Sequence, residues 1–76
     1  MIDWTQYIEP NPSGMMGKPI FKGTRMSVEF VLERLAQGAT RDDLIANYDG
    51  LLPEHIGAAL ALALAMLRND QLIATA

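Results

Sequence analysis

The sequence predicts a mainly α fold, a three-helix unit preceded by a β-hairpin or ribbon. Three observations predict it: strand chemistry that changes to helix chemistry within residues 17–28, helix caps and stops after that point, and a long apolar helical pattern from Pro53. We expect a single domain over 1–76, with the ribbon at 4–26, the three helices at 27–69 and a short tail at 70–76.

The composition limits the classes of function. A chain of 76 residues buries only about 60% of its unfolded surface and is marginally stable alone. The sequence has no cysteine and one histidine, His55, so we predict no disulfide, no metal site and no cofactor. Half of the residues are hydrophobic and 20% are charged. A small chain so rich in apolar residues gains stability by association, and we expect a homodimer.

Charge and hydropathy bear on partners and location. The net charge is −3 and the pI is about 4.8, so the overall field repels nucleic acid and favours a protein partner. The amino terminus lacks the basic and apolar regions of a signal peptide. The longest apolar run, 58–67, is shorter than the roughly 20 residues that a membrane span needs. We therefore predict a cytoplasmic protein that does not enter a membrane.

Two short strands are predicted before the helices. Residues 4–9 are rich in aromatic side chains, residues 10–14 form a dense turn cluster, and residues 18–22 have strand character. The two flanks are expected to form a hairpin. Because an isolated two-stranded ribbon is marginal in water, it should pack on the helices or pair with another chain.

The first helix follows a turn at Gly23, where glycine permits a positive φ. Ser27 is a preferred N-cap residue, and the apolar positions from Val28 recur at i, i+3, i+4 and i+7. Gly38 provides the C-terminal stop. The spacing predicts a helix over 28–37.

Capping signals also mark the second and third helices. Thr40 and Asp43 have the spacing of a capping box, in which each residue bonds the other's backbone N–H, and they predict a helix over 41–47. Pro53 suits the first position of a helix, where its missing N–H costs nothing. The third helix is predicted over 53–69.

A helical wheel divides the apolar residues of the third helix into two sets. The first spans about 80° and is predicted to face the core: Ile56, Leu60, Leu64 and Leu67. The second extends the apolar arc to about 200°, more than one small core can use. We predict that this second set forms a dimer or partner interface: Leu62, Met66, Ala59 and Ala63.

The order of helices also fits a helix-turn-helix unit. Ala46, Gly50 and Ile56 have the Ala-x3-Gly-x5-Ile spacing of that motif, which places a small residue in helix two, a glycine in the turn and an apolar residue in the core. The start of helix three, however, offers no side chain suited to reading bases, and Glu54 would repel phosphate.

DNA contact is therefore predicted on the ribbon and its turn. The candidate DNA-binding residues are Lys18, Lys22 and Arg25, which a dimer would double into a strip of six charges. The alternative interpretation is that these residues provide solubility at a sheet edge and that Arg25 pairs with a carboxylate in the same chain. Both interpretations remain open.

The sequence gives no sign of catalysis. We expect His55 to be a surface or capping side chain, and Asp42 and Asp43 to cap helix two. No nucleophile, base and orienting group can be assembled from Ser13, Ser27 and His55 with the nearby acids. We predict that the protein is not an enzyme.

Several of these segments together resemble the bacterial DUF433 family. The resemblance covers about Tyr7 to Asn69 and is carried by Gly17-Lys18-Pro19, by Gly23-Thr24-Arg25 and by the acid-capped second helix leading to Tyr48. It implies a homeodomain-like helix-turn-helix fold. Leu52 departs from the usual pattern, in which Ser or Thr caps the third helix.

The same resemblance implies a function. Members of the family look like antitoxins of the VapB class, often encoded beside a PIN-like ribonuclease toxin. The implied role is to bind and neutralise that toxin and, as a homodimer bound to operator DNA, to repress its own promoter. Two alternatives stay open: a stand-alone helix-turn-helix transcriptional regulator, and a dimeric interaction module that does not bind DNA.

Overall fold

The computed structural model describes residues 1–10 and 18–70. A 3-10 turn at Trp4–Gln6 precedes two strands, β1 (Ile8–Pro10) and β2 (Pro19–Phe21), and three helices, α1 (Val28–Ala36), α2 (Arg41–Asn47) and α3 (Pro53–Asp70). The predicted fold class, a mainly α three-helix unit with an N-terminal β-hairpin, is confirmed. The expected turn cluster at 10–14 and the tail at 70–76 lie almost wholly outside the described residues.

The two strands form the antiparallel ribbon expected from the sequence. Ile8 lies opposite Phe21 and Pro10 lies opposite Pro19. The first strand is shorter than predicted, because residues 4–6 form the 3-10 turn instead. Asp3 caps that turn: its carboxylate accepts hydrogen bonds from the Thr5 N–H at 3.1 Å and the Thr5 hydroxyl at 2.6 Å.

The predicted caps of the first two helices are confirmed. The Ser27 hydroxyl accepts a hydrogen bond from the Phe30 N–H at 3.0 Å. In the α2 capping box, the Asp43 N–H donates to the Thr40 hydroxyl at 3.0 Å and the Thr40 N–H donates to the Asp43 carboxylate at 3.1 Å. These bonds from Thr40 hold the pKa of Asp43 below its ordinary value.

The core lies where the ribbon meets the three helices. Its largest fully buried side chains are Phe21 from β2, Val31 from α1 and Leu44 from α2. The other members of the buried cluster come from β1, α1, the turn before α3 and the first two turns of α3: Ile8, Val28, Leu51, Ile56, Ala58 and Ala59. The core therefore holds α3 by its N-terminal half.

The prediction of the core face of α3 is wrong at two of its four positions. Ile56 is buried, but Leu60 is 52% exposed and Leu67 is 46% exposed. The helix is rotated so that Ala59, which is fully buried, faces the core. Alanine lets a helix approach its neighbours closely, so this face can pack tightly against the core.

The helix-turn-helix consensus is met at two of its three positions. Gly50 has a φ of +84° in the turn between α2 and α3, a conformation that side-chain-bearing residues rarely adopt, and Ile56 is buried. Ala46 is exposed, so the expected close packing at that position is wrong. The α2 helix contributes Leu44 to the core instead.

Candidate functional site

An apolar groove lies between α1 and the C-terminal half of α3, and we call it the α1–α3 groove. It encloses about 670 Å³. Its apolar lining comes from both helices: Val28 and Leu32 from α1, and Leu62, Ala63, Met66 and Leu67 from α3. The groove forms because α3, with 18 residues, is twice as long as α1, with nine.

A smaller hollow of about 270 Å³ adjoins the groove on the side of the ribbon. Pro19, Leu62 and Met66 line both cavities. Trp4 and Glu9 close the hollow on its far side. The two cavities therefore form a continuous apolar surface that is centred on Leu62 and Met66.

Carboxylates border this apolar surface. Glu29 and Glu33 line the α1 side of the groove, and Glu9 lines the adjoining hollow. Lys18 forms an ion pair with Glu29 at 3.1 Å, but both side chains are more than half exposed, and such surface pairs are weak. The border is acidic overall, which suits a partner carrying basic side chains beside apolar ones.

The predicted interface residues on α3 do not all reach this surface. Leu62, Ala63 and Met66 line the groove, and Met66 is 55% exposed. Ala59 is fully buried inside the core, so the prediction that it contacts a partner is wrong. It belongs to the same buried cluster as Ile56, so it is not available to a partner.

The three predicted DNA-binding residues lie near one another in the chain but differ in their surroundings. Lys18 is engaged with Glu29, so its charge is partly compensated. Lys22 and Arg25 are exposed at either end of the tight turn that leaves β2. Within residues 1–10 and 18–70, neither of them forms an ion pair, so the expected pairing of Arg25 with a carboxylate is absent from the described part of the chain.

Local hydrogen bonds shape that turn. The Thr24 hydroxyl donates to the Phe21 carbonyl at 2.8 Å and accepts from the Met26 N–H at 3.1 Å, and Gly23 has a φ of +80°. The turn lies beside a hollow of about 590 Å³ that also includes Tyr48, Asp49 and Gly50. Sequence reasoning missed this meeting of two turns, because no periodicity or spacing relates residues 23–25 to 48–50.

A family comparison bears on these same segments. A family model described as a protein of unknown function, DUF433, matches residues 8–63. The chain belongs to the DUF433 family. Searches of the curated proteins and of the solved structures found no match.

The DUF433 match confirms the family resemblance seen in the sequence. It includes the ribbon, the Gly23-Thr24-Arg25 turn and Tyr48, and it ends inside α3 at residue 63. Met66 and Leu67 therefore lie beyond the part of the chain that the family model matches. The resemblance to VapB-class antitoxins stays a prediction.

His55 is a structural cap in this DUF433 protein. It is 5% exposed, its ring lies 4.9 Å from that of Phe21 between centroids, and its Nδ1 accepts a hydrogen bond from the Leu52 N–H at 3.0 Å. Burial lowers its pKa. The expectation of a capping role is confirmed and that of a surface position is wrong. His55 thus makes the half of a capping box that pairs the backbone N–H of residue 52, and the leucine side chain cannot make the other half.

The α3 helix begins with a surface poorly suited to DNA. Pro53 and Glu54 are exposed. Ala58 and Ala61 are at positions that a recognition helix would present to the major groove of DNA, but both are buried. Base reading by this helix is therefore disfavoured by both charge and access.

The described residues hold neither a cluster of metal ligands nor a membrane-spanning helix. Among residues 1–10 and 18–70, no group of three or more potential ligands could hold a metal ion. Over the same residues, no helix combines the length and apolar character needed to span a membrane.

Proposed function

We propose that this DUF433 protein is an antitoxin-like binding protein that neutralises a PIN-like ribonuclease toxin. The observation that carries the proposal is the α1–α3 groove, an apolar cavity of about 670 Å³ bordered by Glu29 and Glu33. A ribonuclease binds a polyanion and needs basic side chains to do so. A partner surface with apolar side chains flanked by lysine or arginine complements this groove in shape and charge.

The groove residues have two different roles in binding, which follow from their burial and their charge. Leu62, Ala63 and Met66 provide the apolar contact, which excludes water and supplies affinity. Glu29 and Glu33 provide charge complementarity, which increases the association rate and selects a basic partner. Covering the basic residues of the nuclease would block access of RNA. The role is one of binding, and we propose no catalytic step for this chain.

The test is co-expression of the tagged chain with the product of the neighbouring gene, followed by co-purification at about 0.5 M salt, where loose charge contacts are screened. We expect a stoichiometric complex in which the nuclease is inactive. Met66→Glu should abolish the complex, because it places a charge among the apolar groove residues.

A matched control is Leu52→Glu, which makes the same charge change at a leucine that is 51% exposed and lies outside the groove. This variant should retain the complex. Equal loss of binding in both variants, or elution of the wild-type chain alone, would contradict the proposal.

We further propose that the protein acts in the cytoplasm as a homodimer and represses its own promoter by binding operator DNA. The supporting observation is the exposed pair Lys22 and Arg25 on the turn after β2, with Lys18 contributing less because of Glu29. Replacing Lys22 and Arg25 with alanine should weaken DNA binding and reduce its salt dependence.

The alternative is a stand-alone helix-turn-helix regulator, and the order of α2, turn and α3 favours it. This alternative predicts specific DNA binding without any captured nuclease. An interaction module that binds neither DNA nor a nuclease would show neither result. Measuring DNA binding and nuclease capture on the same preparation therefore separates all three.

A further inference from the structure

The outer face of α3 carries a row of leucines that the core does not cover. Leu60 is 52% exposed and Leu67 is 46% exposed, and Leu64 is partly exposed. The spacings of four and three residues place all three within about 60° of one another around the helix. We call this row the leucine ridge. Leu60 and Leu64 do not line the α1–α3 groove, whereas Leu67 does, so the ridge is a second apolar surface that adjoins the groove at Leu67.

We propose that a second copy of this chain covers the leucine ridge, with α3 packed antiparallel on α3 around a two-fold axis near position 62. The inference rests on the homodimer in the proposed function and names its surface. It requires neither the toxin nor DNA. The spacing of the ridge is that of the apolar seam of a coiled coil, in which leucines from two helices interdigitate.

The pairing about position 62 is self-complementary in shape. It brings Leu60 level with Leu64 of the partner subunit. It also brings Leu67 level with Gly57 of the partner subunit, where Ile2 of the partner subunit lies 3.6 Å from the position that a Cβ would take, so Leu67 meets an apolar surface there. The same two pairings recur on the other side of the axis, as an interface between identical subunits requires.

Charge fixes the direction of the pairing. Glu54 and Arg68 are both exposed and lie on the same flank of the ridge, about 40° apart around the helix. In the antiparallel pair they are offset by two residues, about 3 Å along the axis, so each Arg68 faces the partner's Glu54. A parallel pair would instead leave Glu54 and Arg68 of opposite copies about 21 Å apart along the axis, so the two charges could not pair.

The acidic groove is less suited to self-association. A two-fold contact through it would bring Glu29 and Glu33 of both copies to one interface, where like charges repel. The ridge carries no acidic residue between Leu60 and Leu67. The two apolar surfaces of α3 are therefore assigned to different partners, the ridge to a second copy and the groove to a basic protein.

The first experiment measures the oligomeric state of the full chain by sedimentation equilibrium between about 10 and 500 µM. We expect a dimer whose dissociation constant rises at least about 100-fold in Leu60→Glu. Leu52→Glu is the matched control, with the same charge change at a leucine of nearly equal exposure, and should remain dimeric. Circular dichroism verifies that both variants are folded.

The second experiment tests the antiparallel orientation of the two α3 helices by exchanging the charges at positions 54 and 68. Glu54→Arg and Arg68→Glu should each weaken the dimer about tenfold, and the double variant should recover most of the loss. A wild-type chain that is monomeric throughout would overturn the dimer itself. A dimer unaffected by Leu60→Glu would overturn the assignment to the ridge, and a double variant without recovery would overturn the antiparallel pairing.

These outcomes are independent of the antitoxin proposal. Leu60→Glu leaves the groove unchanged, so it should still capture the nuclease as a monomer. Loss of the dimer with nuclease capture retained supports both proposals. A dimer that depends on the ridge, in a chain that captures no nuclease, removes the antitoxin function and leaves the ridge assignment intact.

Discussion

The two halves of α3 belong to one continuous helix but have opposite surroundings. In the N-terminal half, His55, Ile56 and Ala59 are buried and the chain itself supplies every neighbour. In the C-terminal half, Met66 and Leu67 are about half exposed although the residues are just as apolar. Hydrophobic character alone therefore does not distinguish a core from a contact surface. A core residue differs from a contact residue in that other side chains of the same chain cover it.

The largest expected effect is a difference in stability between a buried and an exposed residue of α3. Ile56→Ala should lower the free energy of unfolding by about 2–4 kcal/mol, because it leaves a cavity in the core. Leu60→Ala, measured at a concentration where the protein is monomeric, should lower it by less than about 1 kcal/mol. Urea denaturation of both variants measures the difference. Equal losses would show that the exposed face of α3 is part of the core.

A second prediction concerns local opening of the helix. Backbone amides in the N-terminal half should exchange hydrogen about 10- to 100-fold more slowly than those near Arg68, because opening there disrupts the core. Hydrogen exchange at low protein concentration measures this gradient. At high concentration the dimer should raise protection in the C-terminal half. An unchanged profile on dilution would argue against the ridge as the dimer contact.

A third and smaller effect is pH dependence at the start of α3. Burial lowers the pKa of His55 below 6.5 in the folded chain, with Glu54 partly opposing the shift, so the unfolded chain binds the proton more readily. The stability from neutral His55 is fully present above about pH 6.5 and decreases as the pH falls. Denaturation between about pH 5 and 8 should show this slope.

The control for this pH dependence is His55→Gln. A glutamine at this position can accept the same backbone hydrogen bond but does not titrate. Its unfolding free energy should vary less between pH 5 and 7 than that of the wild-type chain. An identical slope in both proteins would mean that another group is responsible.

The smallest effect is expected at the border of the groove. Lys18→Ala removes the ion pair with Glu29, and because both side chains are exposed, stability should change by less than about 0.5 kcal/mol. The same substitution leaves Glu29 unpaired and should strengthen binding to a basic partner. Thermal denaturation and the affinity for the captured nuclease measure the two effects separately.

Local signals explain how much of the fold could be predicted. The α1 helix begins at Val28 as expected and ends one residue earlier than predicted, and α2 has the predicted bounds. These boundaries depend on caps such as Ser27 and Thr40, which act on backbone groups only three residues away. The start of α3 followed from Pro53, and the helix ends one residue later than predicted.

The orientation of α3 could not be predicted by such means. A helical wheel gives the angles between side chains but not the direction in which the helix faces. That direction depends on distant segments: the 3-10 turn contacts α3, and His55 packs against Phe21 of the ribbon. The groove was missed for the same reason, since α1 and the ribbon form its other walls.

The burial of Ala59 has a mechanical consequence. The α3 helix is about 27 Å long and is held by the core mainly through its N-terminal half, so a tilt of the helix would pivot near Ala59. A tilt of about 5° there displaces Leu67, about 12 Å further along, by about 1 Å. A larger side chain at position 59 would therefore shift both partner surfaces without altering any residue in them.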